Sequence, residues 1–346
     1  MQFNSCLKDM RLTGIDLSQA LALGSVELRN RVVLAPMSGV TDLPFRQLAW
    51  RYGAGLVVTE MVASRELVGN ASESWARLRN AGISPHMVQL AGREAYWMGE
   101  AARVAVDNGA DIVDINMGCP AKKVIGGYSG SALMRDPDHA LSLIEATVKA
   151  VDVPVTLKMR LGWDDDSINA PEIAKRAEEA GVRMVTIHGR TRMQFYKGRA
   201  DWAAIAAVRD AITIPLIANG DVETHDDVTR ILALSGADAV MVGRGAYGRP
   251  WHPGYLAGAV AHPAMAEIAE IVREHYDMML EFYGIDIAVR HARKHIGWYL
   301  ERFAPHLHAE KKSAIMTSLN PVDVINKTIS ALRDSDSQEA RKVIAA

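Results

Sequence analysis

Short apolar runs rich in β-branched residues alternate along this chain with stretches in which apolar positions recur every three or four residues. The first pattern suits buried strands and the second amphipathic helices. The runs are Arg31–Ala35, Gly55–Thr59, Met87–Leu90, Ile112–Asn116, Val155–Lys158, Met184–His188, Leu216–Asn219 and Ala239–Gly243. Strand and helix in alternation make parallel βα units, and this number of strands fills a TIM (β/α)8 barrel. A doubly wound open sheet shares the local signals and is the alternative; the strand count and the polar residues gathered at strand ends favour the barrel. Asp136-Pro137 reads as an N-cap followed by a proline at the first helical position, and Thr224 can cap a helix running through Leu234. Asp107-Asn108-Gly109-Ala110-Asp111, Ala180-Gly181 and Ser235-Gly236-Ala237-Asp238 end helices and lead into the next strand.

After Arg249-Pro250-Trp251 the strand pattern stops. From Ala264 to about Leu332 the chain is helical in pattern, with pauses at Gly284, Pro305 and Asn320-Pro321, which predicts a small all-α bundle. The expected division is a barrel over residues 1–255, a helical domain over 256–335 and a flexible tail over 336–346, the last from its polar composition.

Composition fits this division. With 346 residues, 49% of them hydrophobic, the chain can bury one large core and a smaller companion. It has no uninterrupted apolar run of roughly 18 residues and no secretory leader pattern, so a soluble cytoplasmic protein is expected. The two cysteines, Cys6 and Cys119, argue against a disulfide framework, and both are expected as thiols. A net charge of -2 argues against a surface basic throughout. A local basic patch does occur where Arg290, Arg293, Lys294, Arg302, Lys311 and Lys312 outnumber Asp286, Glu301 and Glu310. Its plain reading is a solvated helix face.

A barrel carries its chemistry at the C-terminal ends of its strands. Those ends read Pro36-Met37-Ser38, Glu60, Gln89, Asn116 with Cys119 beyond, Lys158 with Arg160, His188 with Arg190, Asn219-Gly220-Asp221, and Gly243-Arg244. Any one His or Gln is more often a satisfied core residue; polar groups at every edge point to a shared mouth. A flavin mononucleotide would use them well. Asn219-Gly220-Asp221 and Gly243-Arg244-Gly245 stand where barrels hold a phosphate on backbone N–H groups, with Arg244 adding charge. Lys158 at a strand end needs an anionic partner, either an Asp or Glu or the pyrimidine edge of a reduced flavin. Gln89 offers a donor and an acceptor to an amide-like ring edge, and His188 can donate to phosphate or ring oxygen.

Cys119 is the sharpest single signal. In Asp114-Ile115-Asn116-Met117-Gly118-Cys119-Pro120 the glycine permits a tight exit from the strand and the proline blocks simple continuation into a helix. A free thiol, with a pKa of about 8.5, is mostly protonated at neutral pH and can deliver a proton. Lys122 and Lys123 would lower that pKa if they leaned inward; they are expected to face RNA phosphates. The alternative is a buried structural cysteine. The glycine-rich Ile125–Ser131 that follows suits a movable flap.

These motifs together resemble the tRNA-dihydrouridine synthases, nearest the bacterial DusB group. The resemblance is carried by Ala35–Asp42 with Pro44-Phe45-Arg46, Asp114–Pro120 with Ala121-Lys122-Lys123, Leu157–Arg160, Ile187–Arg192, Asn219–Asp221 and Gly243–Gly245, and it runs from about Asn30 to Leu300. Ser38 departs from the alanine more usual there. The resemblance implies tightly bound, non-covalent FMN, NADPH as reductant, and reduction of a flipped-out tRNA uridine, in the D-loop, to 5,6-dihydrouridine. It implies that Pro36, Met37, Ser38, Gln89, Lys158, Asn219, Gly220, Asp221, Gly243 and Arg244 hold the flavin, with His188 assisting. Flavin N5 would give hydride to C6 of the base and Cys119 would protonate C5. Asn116 and Arg160 would orient the uracil, and Arg190 and Arg199 would contact uracil or RNA. His291–Tyr299 resembles the family's helical-domain motif, so Arg290, Arg293 and Lys294 are expected to grip phosphates; Trp298 and Tyr299 could stack a base, but an aromatic pair at helical spacing is more often core. No metal and no membrane are expected, and the protein is expected to be a monomer. The competing readings are a flavin barrel reducing a free pyrimidine or other small molecule, a Schiff-base aldolase using Lys158, and a non-enzymatic RNA-binding module.

Overall fold

The computed structural model describes residues 14–80 and 82–344, with side chains through Asp336. Cys6 lies outside the described residues. A hairpin of β1 (Leu21–Leu23) and β2 (Val26–Leu28) turns at Gly24 and precedes a nine-stranded sheet. The sheet comprises β3 (Val32–Leu34), β4 (Leu56–Val57), β5 (Val62–Ala63), β6 (Met87–Ala91), β7 (Ile112–Met117), β8 (Val155–Arg160), β9 (Met184–His188), β10 (Leu216–Asn219) and β11 (Ala239–Val242). Every neighbouring pair in it is parallel. β4 and β5 are two pieces of a single stave. β4 pairs with β3 and β5 with β6, and a parallel bridge from Val58 to Met87 closes the ring. The result is a TIM barrel with the expected eight staves. The interruption at Thr59–Met61 sets Glu60 and Met61 at the rim.

Strand alternation sorts the side chains. Val88, Leu90, Val113, Ile115, Leu157, Met159, Val185 and Ile187 face outward into a core shared with the surrounding helices. A separate cluster inside the barrel joins Val33, Leu56, Val58, Met87, Ile112, Met184, Ile217, Ala239 and Met241 to Leu21, Leu23 and Leu28 of the hairpin. The hairpin therefore packs on the apolar interior residues, leaving the inward-facing polar residues to the opposite, C-terminal mouth. Sequence periodicity missed it because three-residue strands are too short to show alternation.

The predicted helical domain is present as helices Met265–Tyr283, Ile285–His291, Arg293–Phe303, Ala309–Thr317 and Pro321–Ile344. Its own core contains Ile268, Val272, Tyr276, Ile296, Tyr299, Leu300, Ile325 and Leu332, with Trp251 from the barrel's end. The last helix continues through residues 336–344, where a flexible tail was expected. No Gly or Pro interrupts that stretch, and Gln338, Glu339, Ala340, Arg341 and Lys342 are good helix formers.

Several contacts fasten the two units together. The Tyr283 hydroxyl donates to Asp42, which also caps the helix Leu43–Arg51 by accepting from the Phe45 N–H. Arg51 pairs with Glu274. Trp298 stacks on Tyr247, with ring centroids 3.9 Å apart, and Arg302 donates to the Tyr247 carbonyl. Gly248 (φ 67) sits so close to the Trp298 carbonyl that a Cβ there would approach within 2.9 Å.

Candidate active site

A cavity of about 420 Å³ occupies the barrel mouth, within the range of small-molecule and cofactor sites. Pro36, Met37 and Ser38, Gln89, Lys158, His188, Asn219-Gly220-Asp221 and Gly243-Arg244 all line it, as do Asn116, Cys119, Arg160 and Arg190. Register explains much of the convergence. Gln89 is paired with Asp114, Asn116 with Lys158, Arg160 with His188 and His188 with Asn219, and each of these residues has the inward parity of its strand.

A buried polar chain positions the Cys119 turn. Thr156 Oγ1 donates to Asp114 at 2.6 Å, Gln89 Nε2 donates to the other Asp114 oxygen at 2.6 Å, and Asn116 Nδ2 donates to Gln89 Oε1 at 2.7 Å. Asn116 Oδ1 then accepts the Cys119 N–H at 3.0 Å. From the other side, the Cys119 carbonyl accepts from the Ser131 N–H and hydroxyl. Gly130 (φ 62) brings the chain back so closely that a Cβ would lie 2.7 Å from that carbonyl. The cysteine is thus held at both ends of its peptide unit. Burial pushes its thiol pKa up, against the backbone hydrogen bond from Ala121 and the charges of Arg160 and Lys158. Lys122 and Lys123 are solvent-exposed and are not among the groups acting on it.

Lys158 is one of the cations lining the cavity. Its amine donates to Asn219 Oδ1 at 3.3 Å, and it forms no ion pair among the described residues. Burial lowers its pKa to about 8, with Arg160 lowering it further and Asp114 opposing. Among the described residues no Asp or Glu lies within ion-pair distance of it, though the charge of Asp114 acts on it. An anionic ligand edge would supply the charge it lacks.

Just beyond Asn219, Asp221 (φ 55) binds both Arg190 and Arg244 and accepts the Ala200 N–H at 2.8 Å. Burial works against the Asp221 carboxylate, but these partners hold its pKa below the ordinary value. Arg190 is 1% exposed and is largely consumed internally, donating to the carbonyls of Lys197 and Gly198 and to His188 Nε2. Arginine has no acceptor, so His188 Nε2 must accept and the ring proton stands on Nδ1. Burial, followed by the charges of Lys158, Arg160, Arg190 and Arg244, keeps that ring neutral. Arg244 remains half-exposed and faces the cavity.

The geometry gives several of the expected site residues structural contacts of their own. Arg160 is also 1% exposed and donates to the carbonyls of Gly118, Thr191 and Phe195. It is foremost a clamp between the Cys119 turn and the loop after β9. Arg190 holds His188 and Asp221 rather than reaching outward, and Asn116 holds the Cys119 N–H. Arg199 lies outside this cavity, on a neighbouring one. Arg290 is exposed, but Lys294 is not its companion on an open face. The Lys294 amine lies against Gly39, where it meets the charges of Asp42 and Glu60, and burial lowers its pKa. Arg293 is half-buried. Tyr299 is core as expected, its hydroxyl 3.1 Å from His275 Nδ1.

Asp114, Thr156, Tyr196 and Tyr247 were missed. The parity of β7 and β8 already places Asp114 and Thr156 inside. Tyr196, between Arg160 and Arg244 at 5.5 Å from each, sits in a loop with no period to read.

Comparison with known proteins follows the same lines. Residues 33–332 match the family model described as "Dihydrouridine synthase (Dus)". A "Probable tRNA-dihydrouridine synthase" of Rhizobium leguminosarum bv. phaseoli is 71% identical over 317 residues, covering 92% of this chain and 99% of the relative. The "tRNA-dihydrouridine synthase B" of Vibrio vulnificus (strain CMCP6) is 43% identical over 320 residues, covering 90% and 97%. Among solved structures, a morphinone reductase variant with tetrahydroNAD has the same barrel fold, with a TM-score of 0.50 at 17% identity over 73% of this chain and 93% of that one.

Proposed function

The chain belongs to the dihydrouridine synthase family, whose members reduce uridine in transfer RNA with a flavin, and from that premise we propose how its residues divide the reaction. The observation that carries the assignment is a cysteine, held by hydrogen bonds at its own N–H and carbonyl, in the same cavity as Lys158, which has no ion pair among the described residues.

FMN fits this cavity. The backbone at Pro36-Met37-Ser38 supports the ring, Gln89 and Lys158 address its pyrimidine edge, and His188 donates from Nδ1. Gly220, with φ 126, keeps the chain close to Ala200, where a Cβ would approach within 2.6 Å. That tight path, together with Asn219, Gly243 and the Asp221-braced Arg244, suits a phosphate. When bound, the flavin supplies from N5 the hydride that adds to C6 of the uracil.

The remaining work belongs to the protein. Cys119 gives its proton to C5, so the base receives one hydrogen from each side. Asn116 and Arg160 act first by fixing the cysteine turn, and from the same cavity they orient the uracil. A base in its stack cannot enter the mouth, so the uridine, in the D-loop, is flipped out. NADPH is the reductant, the bundle with exposed Arg290 contacts the tRNA, and the protein works as a cytoplasmic monomer. No helix among the described residues is long and apolar enough to cross a membrane. At neutral pH a Lys158 with a pKa of about 8 is mainly protonated, which suits charge stabilisation better than Schiff-base formation.

The first test is spectroscopic. Purified protein, supplied with FMN if necessary, is expected to show flavin absorption that bleaches anaerobically with NADPH and returns when unmodified tRNA is added. A protein unable to take up FMN would overturn the assignment.

A further inference from the structure

Beside the flavin cavity lies a second one of about 560 Å³, sharing Arg190, Tyr196, Asp221 and Arg244 with the first. Arg199, Asp201 and Trp202 from the loop after β9, and Asp227 and Arg230 from the helix His225–Ser235, line the rest. Its three carboxylates are already committed. Asp221 serves Arg190 and Arg244, Asp201 accepts the Ala204 N–H at 3.0 Å, and Asp227 accepts the Glu223 and Thr224 N–H groups. Arg199 and Arg230 have no acidic partner among the described residues. The Arg230 guanidinium instead rests 5.5 Å from the Trp202 ring centroid, and the Trp202 indole N–H donates to the Gly220 carbonyl at 2.8 Å. The same tryptophan thus joins the second cavity to the backbone proposed to cradle the flavin phosphate.

We propose that this cavity binds the 2′-phosphate of the nicotinamide dinucleotide reductant, and that Arg199 and Arg230 select the phosphorylated dinucleotide over its unphosphorylated form. The proposal rests on the flavin reading of the adjoining cavity. A phosphomonoester carries nearly two negative charges at neutral pH, which matches two uncompensated guanidiniums; each diester of an RNA backbone carries only one. Guanidinium forks also suit phosphate oxygens geometrically. A concave pocket admits a terminal phosphate more readily than a continuous backbone. The shared wall places such a ligand within reach of the flavin mouth.

Calorimetry on the flavin-loaded protein with adenosine 2′,5′-bisphosphate and with 5′-AMP reads the site without turnover. The bisphosphate is expected to bind about tenfold more tightly or better, and the Arg199→Gln/Arg230→Gln double variant to lose that preference. Anaerobic stopped flow is expected to show the NADPH concentration for half-maximal flavin reduction rising about tenfold in the double variant, with NADH little changed. Oxidation of dithionite-reduced flavin by tRNA bypasses the nicotinamide and is expected to be normal in Arg230→Gln. Equal binding of the two adenosine nucleotides, or unchanged NADPH dependence in the double variant, overturns the proposal. So does a defect confined to oxidation by tRNA, which would instead assign the pocket to RNA. If wild-type protein takes up flavin and is oxidised by tRNA, any of these three outcomes leaves the flavin reading intact.

Discussion

At the scale of single residues, the proposed role of Cys119 as proton donor rests on its place in the cavity and on burial, which pushes its thiol pKa up. Removing a positioned acid typically costs 10²–10⁴ in rate. Cys119→Ala is therefore expected to lower tRNA-dependent flavin oxidation by about that factor while flavin content and tRNA affinity stay near wild type; normal turnover would dismiss the assignment. Lys158 gives a pH signature. Its pKa is lowered to about 8, so without an anionic partner its charge is present below that pH and disappears above it. Anionic reduced flavin should raise the value again. The rate of flavin reduction is thus expected to fall as pH rises from 8 toward 10, and Lys158→Met to be slow throughout with that dependence flattened. A wild-type profile in Lys158→Met would count against the pairing. The identities of these groups could be read from strand ends, but several of their tasks could not. Arg190 finds its acceptors at Lys197 and Gly198, and Arg160 at Thr191 and Phe195, in a loop whose path no hydrophobic period encodes.

Among secondary-structure elements, most barrel strands announced themselves through short apolar runs, and their parity fixed which polar residues face inward. The β1–β2 hairpin is too brief for such a signal, and the second stave is interrupted where Glu60 accepts the Gly39 N–H. The helical bundle could likewise be read, but its seam with the barrel depends on contacts distant in sequence. Two seam residues are expected to make it acid-sensitive. His275 and His295 are buried, their rings 4.7 Å apart beside Phe45, and burial depresses both pKa values, to about 3 for His275. The unfolded chain protonates them near pH 6.5. Their neutral-state stability is therefore full above that pH and is lost as pH falls toward the folded values. A melting temperature that drops between pH 7.5 and 5, with a shallower slope in His275→Phe, is expected; identical slopes would refute this source of acid sensitivity. Loss of the Trp298–Tyr247 stack in Trp298→Ala should destabilise the seam by about 2–4 kcal/mol, combining lost burial with the aromatic pair. Denaturant unfolding measures that loss.

For the molecule as a whole, a net charge of -2 leaves tRNA recognition to local groups. Arg290, Lys122 and Lys123 are exposed, whereas Lys294 is turned into the seam beside Gly39. Arg290→Ala is expected to weaken tRNA binding and to reduce the slope of log affinity against log salt by about one. An unchanged slope would remove Arg290 from the interface. The sequence distinguished barrel from bundle because their hydrophobic periods differ, but it could not show which basic residues remain outside once the two pack together. The central claim joins a flavin, a thiol and a flipped uridine in one mouth. Its most direct measurement is an anaerobic single turnover in D2O, mixing flavin-reduced protein with unmodified tRNA and analysing the nucleosides by mass spectrometry. The account predicts stoichiometric dihydrouridine carrying solvent deuterium at C5, with little formed by Cys119→Ala. Flavin oxidation without dihydrouridine, or reduction of free uridine as fast as of tRNA, would contradict it.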